Sequence, residues 1–368
     1  MGKVYFSNLN GLRFLAALLV IIHHIEQFKQ LLGQKNHFDI YWVRVIGPAG
    51  VILFFVLSGF LITYLLLTEQ LETGTISIRN FYVRRVLRIW PLYYLIVMAS
   101  FWIFPHLSLL GIPNLSNLLH QNFNAKFLMY LLFLPNLAAT IYPPVAYASQ
   151  AWSVGVEEQF YLLWPLLLKR IKNKLKLFYF IIIIILIIKL LFFFLAEKII
   201  GKSTLAASIL SFLNIDYMAI GGVFAFYLFN NNDILKWIFN RYIQVSALII
   251  LFFLLFSGFY IPIIAIHSDI FGILFGILII NSAANPKSII NLENKFFNYL
   301  GKISFGLYMF HPLAIVICLK LLTRAHITGM FATYFSSILL TIVFATISYI
   351  FLESYFIRKK TLFSGHKE

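Results

Sequence analysis

The sequence has little charge, few acidic residues and a single cysteine. Only 11% of its 368 residues are charged, compared with about 25% in a typical soluble domain. Hydrophobic residues make up 61% of the chain, and its mean hydropathy is +0.89. These values exclude an ordinary soluble globular protein and predict an integral membrane protein. Because Cys318 has no second cysteine with which to pair, an intramolecular disulfide is excluded, and its apolar neighbours indicate a small buried residue.

Several motifs with recognisable chemistry are also absent from the sequence. It contains no HExxH pair, no paired cysteines, no P-loop and no GxSxG elbow. The adjacent His23 and His24 would point in different directions on a helix, so we expect no metal site and no permanently bound cofactor. Basic residues exceed acidic ones by 29 to 13, which gives a formal net charge of +16. Most of this excess falls in short loops, where it sets membrane topology, so nucleic acid is not an expected partner.

Apolar segments long enough to cross a bilayer recur along the whole chain. A crossing needs about 20 apolar residues, and the sequence predicts an all-α, polytopic helix bundle of about ten transmembrane helices. The predicted spans are 12–32, 47–68, 89–105, 152–168, 178–195, 208–229, 244–266, 268–284, 303–323 and 329–352. The proline-rich region 106–150 holds one short apolar piece, 127–142, that we expect to be re-entrant or interfacial.

Within the second predicted span, Gly59 predicts a close contact between two helices. We expect residues 1–368 to form a single domain.

The distribution of lysine and arginine predicts the orientation of the chain in the membrane. With the N-terminus inside and 127–142 not crossing, the inner segments hold 20 basic residues, the outer segments 7 and the spans 2. A full crossing at 127–142 would instead place the cluster 169–176 outside, against the positive-inside rule. The sequence therefore predicts that both termini lie in the cytoplasm.

The first predicted span carries an arginine and a histidine on one helical face. Arg13 and His24 are eleven positions apart, which leaves them about 20° apart around a helix and about 16 Å apart along it. We expect Arg13 at the cytoplasmic mouth and His24 beyond the midplane. An ionisable residue within the membrane suggests a functional site. The alternatives are that Arg13 only snorkels to the boundary and that His24 makes a structural hydrogen bond between helices.

Two arginines lie together just before the third predicted span. Arg85 and Arg88 are three positions apart and therefore neighbours on one helical face at the inner membrane surface. Guanidinium groups bind phosphate through two hydrogen bonds, so the pair is a candidate phosphate site. The alternatives are a topology signal and a contact with anionic lipid.

Two further polar groups interrupt later spans. Ser153 and Glu157 are four positions apart, so they share one helical face at the outer end of their span, where a structural ion pair is the alternative. Ser304, Tyr308 and His311 form a polar stripe on an otherwise apolar span. This stripe favours a lined cavity over a lipid-facing surface.

Taken in order, these motifs resemble a known family. Arg13 and His24 are followed by FVLSGFLIT, RRVLRIWPLYY, WSVGVEEQFY and ISFGLYMFHPL. The ordered set resembles the acyltransferase-3 family of integral membrane acyltransferases, which includes O-acetylases of O-antigen and other surface polysaccharides. The resemblance extends over nearly the whole chain. It implies about ten core helices in a bacterial inner membrane, an acyl-CoA donor taken from the cytoplasm, and transfer of an acyl group, acetyl by default, to a hydroxyl that often belongs to a sugar.

The resemblance also implies roles for individual residues. The residues expected to be catalytic are His24 and Glu157. Those expected to bind acyl-CoA are Arg13, Arg85 and Arg88. Those expected to line the acceptor cavity are Ser153, Tyr308 and His311. Glu353 also matches a glutamate that many members carry near the end of the last span.

The implied reaction has one expected base and two open routes. His24 is expected to take the proton of the acceptor hydroxyl, with Glu157 orienting or stabilising the imidazole. Direct transfer and a covalent acyl-histidine are both open. Expected partners are acyl-CoA, a glycan or lipid-linked sugar, and membrane lipid. The alternative functions are a transporter or flippase of lipid-linked sugars, a membrane scaffold or sensor, and an acyltransferase acting on a lipid or small secreted molecule.

Overall fold

The computed structural model describes residues 6, 8–113, 115–195, 214–261 and 263–363, and within these ranges it contains helices but no strand. The helices are α1 Leu9–Leu31, α2 Tyr41–Thr73, α3 Ile78–Trp102, α4 Phe123–Leu131, α5 Pro135–Ile141, α6 Ala151–Arg170, α7 Lys174–Leu195, α8 Ile215–Phe229, α9 Ile234–Ile238, α10 Arg241–Phe256, α11 Ile264–Ala284, α12 Lys295–Lys302, α13 Ser304–Arg324, α14 Met330–Ser348 and α15 Ser354–Lys360. A π-helical turn, Tyr349–Glu353, joins α14 to α15. The predicted all-α fold is confirmed.

The apolar helices agree with the prediction of a polytopic membrane protein. Among the described residues, seven helical stretches are long and apolar enough to cross a membrane. They are Leu9–Leu31, Tyr41–Thr73, Ile78–His106, Lys174–Phe194, Ile266–Ala284, Ser304–Arg324 and Met330–Lys359. The apolar helices α8 and α10 are shorter, with 15 and 16 residues, and α6 has 20 residues. The total of ten spans stays a prediction, and residues 208–213 of one predicted span lie outside the described residues.

One predicted span boundary is wrong, and another predicted span lies inside a longer helical stretch, Ile78–His106. Helix α3 begins at Ile78, before the predicted span 89–105, because a helix can continue through arginines that hydropathy excludes from the span. Helix α10 ends at Phe256 and α11 begins at Ile264, so the predicted span 244–266 runs too far. Gly258 lies between them with a φ of +78°, a backbone conformation that glycine adopts without steric cost.

The helices pack into two compact units, each built from three stretches of the chain. Unit 1 comprises Met1–Ala16, Pro48–Ser77 and Phe160–Lys302. Unit 2 comprises Ala17–Gly47, Ile78–Gln159 and Ile303–Glu368. Neither unit is continuous in sequence, and the prediction of one domain over residues 1–368 stays a prediction.

In unit 1, glycines bring α2 and α8 into backbone contact. A Cβ atom on Gly59 would lie 1.9 Å from the carbonyl oxygen of Met218, and one on Gly221 would lie 2.1 Å from that of Val56. The close helix contact predicted for Gly59 is therefore confirmed, since any larger residue would push the two helices apart.

Unit 1 also contains a buried ion cluster that joins three helices. Lys189 of α7 forms an ion pair with Asp216 of α8 and a second one, 3.3 Å long, with Asp269 of α11. Its ammonium group also lies 4.6 Å from the centre of the Tyr217 ring. Lys189 and Asp216 are 4% and 1% exposed. A lysine within the apolar helix α7 is tolerated because its charge is paired inside the protein.

In unit 2, the region around 127–142 forms two short helices rather than one span. Helix α4 has 9 residues, which rise about 14 Å, whereas the hydrocarbon core is about 30 Å thick. The chain then turns through Phe133, whose φ is +56°. The hydroxyls of Tyr93 and Tyr94 donate hydrogen bonds to carbonyl groups in the last turn of α4, at 2.7 and 2.9 Å. These bonds satisfy the backbone where the helix is broken, and the re-entrant or interfacial placement stays a prediction.

Candidate active site

His24 lies on α1, and its tautomer is set by a backbone carbonyl. Its Nδ1 atom lies 2.9 Å from the carbonyl oxygen of Val20, one turn earlier. Because a carbonyl oxygen only accepts hydrogen bonds, Nδ1 carries the proton and Nε2 keeps a basic lone pair. The neighbouring His23 instead bonds through Nδ1 to the carbonyl of Val43 at 2.8 Å and packs closely against Gly47. His23 therefore fastens α1 to α2, whereas His24 is the better candidate for a base.

His311 on α13 lies directly beside His24. The two ring centroids are 4.7 Å apart and the ring planes are tilted by 46°. The Nδ1 atom of His311 lies 2.7 Å from the carbonyl oxygen of Tyr308, so this ring also carries its proton on Nδ1. His311 is 0% exposed, and its Nε2 atom is buried with no hydrogen-bond partner among the described residues. The structure thus brings two imidazole bases together.

A hydrogen-bond network joins the start of α6 to α13 near the two histidines. The hydroxyl groups of Tyr308 and Ser153 are 2.7 Å apart, and the Tyr308 hydroxyl donates to the carbonyl of Gln150 at 3.0 Å. The side chain of Gln150 donates in turn to the carbonyl of Met309 at 2.9 Å. These bonds hold Tyr308, and with it the turn that carries His311, against α6. Sequence reasoning missed Gln150, whose one signal was a polar side chain just before a membrane helix.

The two adjacent glutamates of α6 have different surroundings. The Oε2 atom of Glu158 accepts a hydrogen bond of 3.1 Å from the indole nitrogen of Trp90, and its Oε1 atom is buried with no partner among the described residues. Glu157 interacts electrostatically with Tyr308. The carbonyl of Val20, not a carboxylate, orients the His24 ring. Glu158 was absent from the predicted site, although two carboxylates in a row already indicated that one of them must be buried.

The two arginines of α3 each lie within electrostatic range of a buried glutamate. Arg85 interacts with Glu158 and Arg88 with Glu353. Glu353 ends the π-helical turn, is 5% exposed and accepts a hydrogen bond of 3.1 Å from the Ser348 hydroxyl. π-Helical turns frequently occur at functional sites. Because each glutamate lies within electrostatic range of an arginine, Glu158 and Glu353 are candidates for holding the guanidinium groups in place.

Arg13 and the other predicted site residues belong to different compact units. Arg13 lies in the first turns of α1 and belongs to unit 1, where its guanidinium group donates to the side chain of Asn10 at 3.4 Å. The other seven predicted residues all belong to unit 2. Their functional roles stay predictions, and within the described part of the chain no group of three or more His, Cys, Asp or Glu side chains is placed to hold a metal ion.

Comparison with known proteins points to acyl transfer. A family model described as an acyltransferase domain matches residues 6–350. The peptidoglycan O-acetyltransferase OatA of Listeria monocytogenes is 26% identical over 349 residues, covering 84% of this chain and 49% of the relative. A Staphylococcus aureus protein named as a candidate O-acetyltransferase is 27% identical over 376 residues, covering 96% of this chain and 57% of the relative. The chain therefore spans about half the length of these curated relatives. No solved structure matches it.

Proposed function

The chain belongs to the acyltransferase-3 family of integral membrane acyltransferases, and we propose that it moves an acyl group, acetyl by default, from cytoplasmic acyl-CoA to a hydroxyl of a cell-envelope glycan or lipid-linked sugar. The observation that carries the proposal is His24, an imidazole inside a membrane helix whose Nε2 atom is left basic by the Val20 carbonyl. The name of the Listeria relative, a peptidoglycan O-acetyltransferase, supports a glycan acceptor. The proposed location is the bacterial inner membrane with both termini in the cytoplasm.

In the proposed reaction, His24 acts as the general base. The acceptor oxygen attacks the thioester carbonyl carbon while its proton moves to Nε2 of His24. The carbon–sulfur bond then breaks, and the sulfur leaves with the proton as the free thiol of CoA. Imidazole suits this role because its neutral form carries one N–H donor and one lone pair that can accept a proton.

On the donor side, the proposal assigns the CoA phosphates to arginines. Arg85 and Arg88 lie three positions apart on α3, so both guanidinium groups can reach one phosphate-bearing ligand. Glu158 and Glu353 lie within electrostatic range of them and would keep the guanidinium groups oriented while the site is empty. Arg13 is proposed as a third donor contact at the cytoplasmic end of α1.

The proposal is tested by supplying labelled acetyl-CoA to membranes and measuring label in the extracted glycans and lipids. The wild-type protein should transfer label, and His24→Ala should transfer none while inserting at normal levels. His267→Ala is the matched control, because His267 is also a buried histidine, 5% exposed, but lies in unit 1. Normal transfer by His24→Ala would contradict the mechanism. A protein that only moves lipid-linked sugars needs no acyl donor and would leave every fraction unlabelled.

A further inference from the structure

We propose that His311 is a proton-sharing partner of His24, so that the two imidazoles together hold the one proton in transit during acyl transfer. The inference rests on the proposed function and deepens it, because it assigns a task to a ring that sequence analysis placed only in the acceptor cavity. It is carried by the position of the two rings, by the carbonyl groups that fix their tautomers, and by a proline that frees one of those carbonyls.

The geometry of the pair suits a shared proton. Each ring donates its Nδ1 proton to a carbonyl on its own helix, His24 to Val20 at 2.9 Å and His311 to Tyr308 at 2.7 Å. Both Nε2 atoms are therefore lone-pair acceptors, and two acceptors cannot bond to each other. The Nε2 atom of His311 is accordingly buried without a partner, with the His24 ring centroid 4.7 Å from its own. One added proton would let one Nε2 atom donate to the other.

Pro312 explains why the carbonyl of Tyr308 is free to hold the His311 ring. Helix α13 continues through Pro312, which has no N–H group, so the carbonyl four residues earlier loses its usual helical donor. That carbonyl belongs to Tyr308, and it is the one that accepts the Nδ1 proton of His311. In the dipeptide His311-Pro312, the proline thus frees the carbonyl group that fixes the tautomer of the histidine.

The anchored side chain of Tyr308 keeps the hydrogen bond between the His311 ring and the Tyr308 carbonyl in place. Its hydroxyl contacts the Ser153 hydroxyl at 2.7 Å and donates to the Gln150 carbonyl at 3.0 Å. The turn that carries the accepting carbonyl is therefore anchored to α6, and the His311 ring keeps both its orientation and its tautomer. Among the described residues, no carboxylate accepts a hydrogen bond from the His24 or the His311 ring. Two imidazoles lie beside His24, that of His23 at 5.0 Å between ring centroids and that of His311 at 4.7 Å. His311 is the one whose Nε2 atom is buried without a partner, so it is the group proposed to receive the proton.

The step balances without any further reactant. The acceptor oxygen bonds to the thioester carbon and its proton goes to Nε2 of His24, which becomes an imidazolium. The new Nε2–H group donates to Nε2 of His311, which spreads the positive charge over two rings. When the carbon–sulfur bond breaks, the proton passes to sulfur, and both rings return to their Nδ1–H forms.

The first test is His311→Ala, measured as label transferred from acetyl-CoA per inserted protein. We expect kcat to fall by about 100-fold, the usual contribution of a positioned proton acceptor, with the KM for acetyl-CoA unchanged. Added imidazole should restore part of the lost kcat, because it can occupy the vacated space and accept the proton. His267→Ala is the matched control, since it removes another buried histidine with an unpartnered Nε2 atom, and it should neither lose kcat nor respond to imidazole.

The second test is Pro312→Ala, which keeps both imidazoles. The new N–H group should compete for the Tyr308 carbonyl and release the tautomer of His311, so kcat should fall, while Pro165→Ala, a proline inside α6, should retain it. The losses in His311→Ala and Pro312→Ala should not add in the double variant. Additive losses in the double variant, or a wild-type kcat in either single variant, would overturn the proposal. If His311→Ala fails to insert into the membrane, the kcat of Pro312→Ala decides for or against the proposal by itself. Absence of transfer by the wild-type protein would instead contradict the proposed function.

Discussion

At the scale of single residues, the chemistry of this site is set largely by backbone carbonyls. The rings of His24 and His311 are each oriented by a carbonyl on their own helix, and neither is held by a carboxylate among the described residues. A carbonyl fixes the tautomer without adding a negative charge that would trap a proton on the ring. In the proposed reaction, the two imidazoles can therefore take up and release a proton within one turnover.

The arginines of α3 give a prediction about donor binding. In Arg88→Ala the CoA phosphates lose a bidentate contact, so the KM for acetyl-CoA should rise by about tenfold, corresponding to loss of a charge-assisted hydrogen bond worth about 1.4 kcal/mol, with kcat little changed. The measurement is the dependence of label transfer on acetyl-CoA concentration. The matched control is Arg241→Ala, which removes an arginine at the start of α10. An unchanged KM in Arg88→Ala would leave Arg88 with a topological role alone.

The sequence predicted which polar side chains share a helical face better than which residues they contact. Helical spacing placed Ser304, Tyr308 and His311 on one stripe, because spacing along a helix depends only on local geometry. It could not show that Tyr308 meets Ser153 or that Glu158 meets Trp90, since these partners are separated by 155 and 68 positions along the chain. Such contacts depend on how helices pack, which a single sequence does not reveal.

At the scale of helices, the ion cluster of α7, α8 and α11 determines which substitutions of charged residues unit 1 can accept without losing stability. Its single cation is paired with two carboxylates, and Lys189 and Asp216 are almost fully buried. Removing the cation leaves negative charges in an environment of low polarity, which is more unfavourable than replacing the whole cluster by neutral groups. The cluster is therefore expected to hold the three helices in one register.

Lys189→Met should therefore be strongly destabilising, by about 3–5 kcal/mol, as measured by unfolding of the purified protein in detergent. The triple variant Lys189→Met, Asp216→Asn and Asp269→Asn should recover much of this loss, because no unpaired charge remains. Lys236→Met is the matched control, since its ion pair with Asp233 is exposed and should contribute little. A triple variant no more stable than Lys189→Met would argue against charge burial as the cause.

At the scale of the whole molecule, composition alone predicted the protein class, whereas orientation depends on the count of crossings. Among the described residues, seven helical stretches long and apolar enough to cross a membrane overlap predicted spans, because length and hydropathy decide which segments a bilayer accepts. The break between α4 and α5 is decisive for the count. A segment that does not cross leaves the basic cluster after α6 on the same side as the N-terminus, as the positive-inside rule requires.

Cysteine labelling in intact cells tests this orientation directly. In a Cys318→Ser background, Lys35→Cys between α1 and α2 should react with a membrane-impermeant maleimide added outside, whereas Lys172→Cys between α6 and α7 should react only after permeabilisation. Both positions are exposed, so differences in reactivity report the side of the membrane rather than burial. The reversed pattern would place both termini outside. Labelling of both positions from outside would mean that the segment 127–142 crosses the membrane after all, because one added crossing moves Lys172 to the outer side but leaves Lys35 in place.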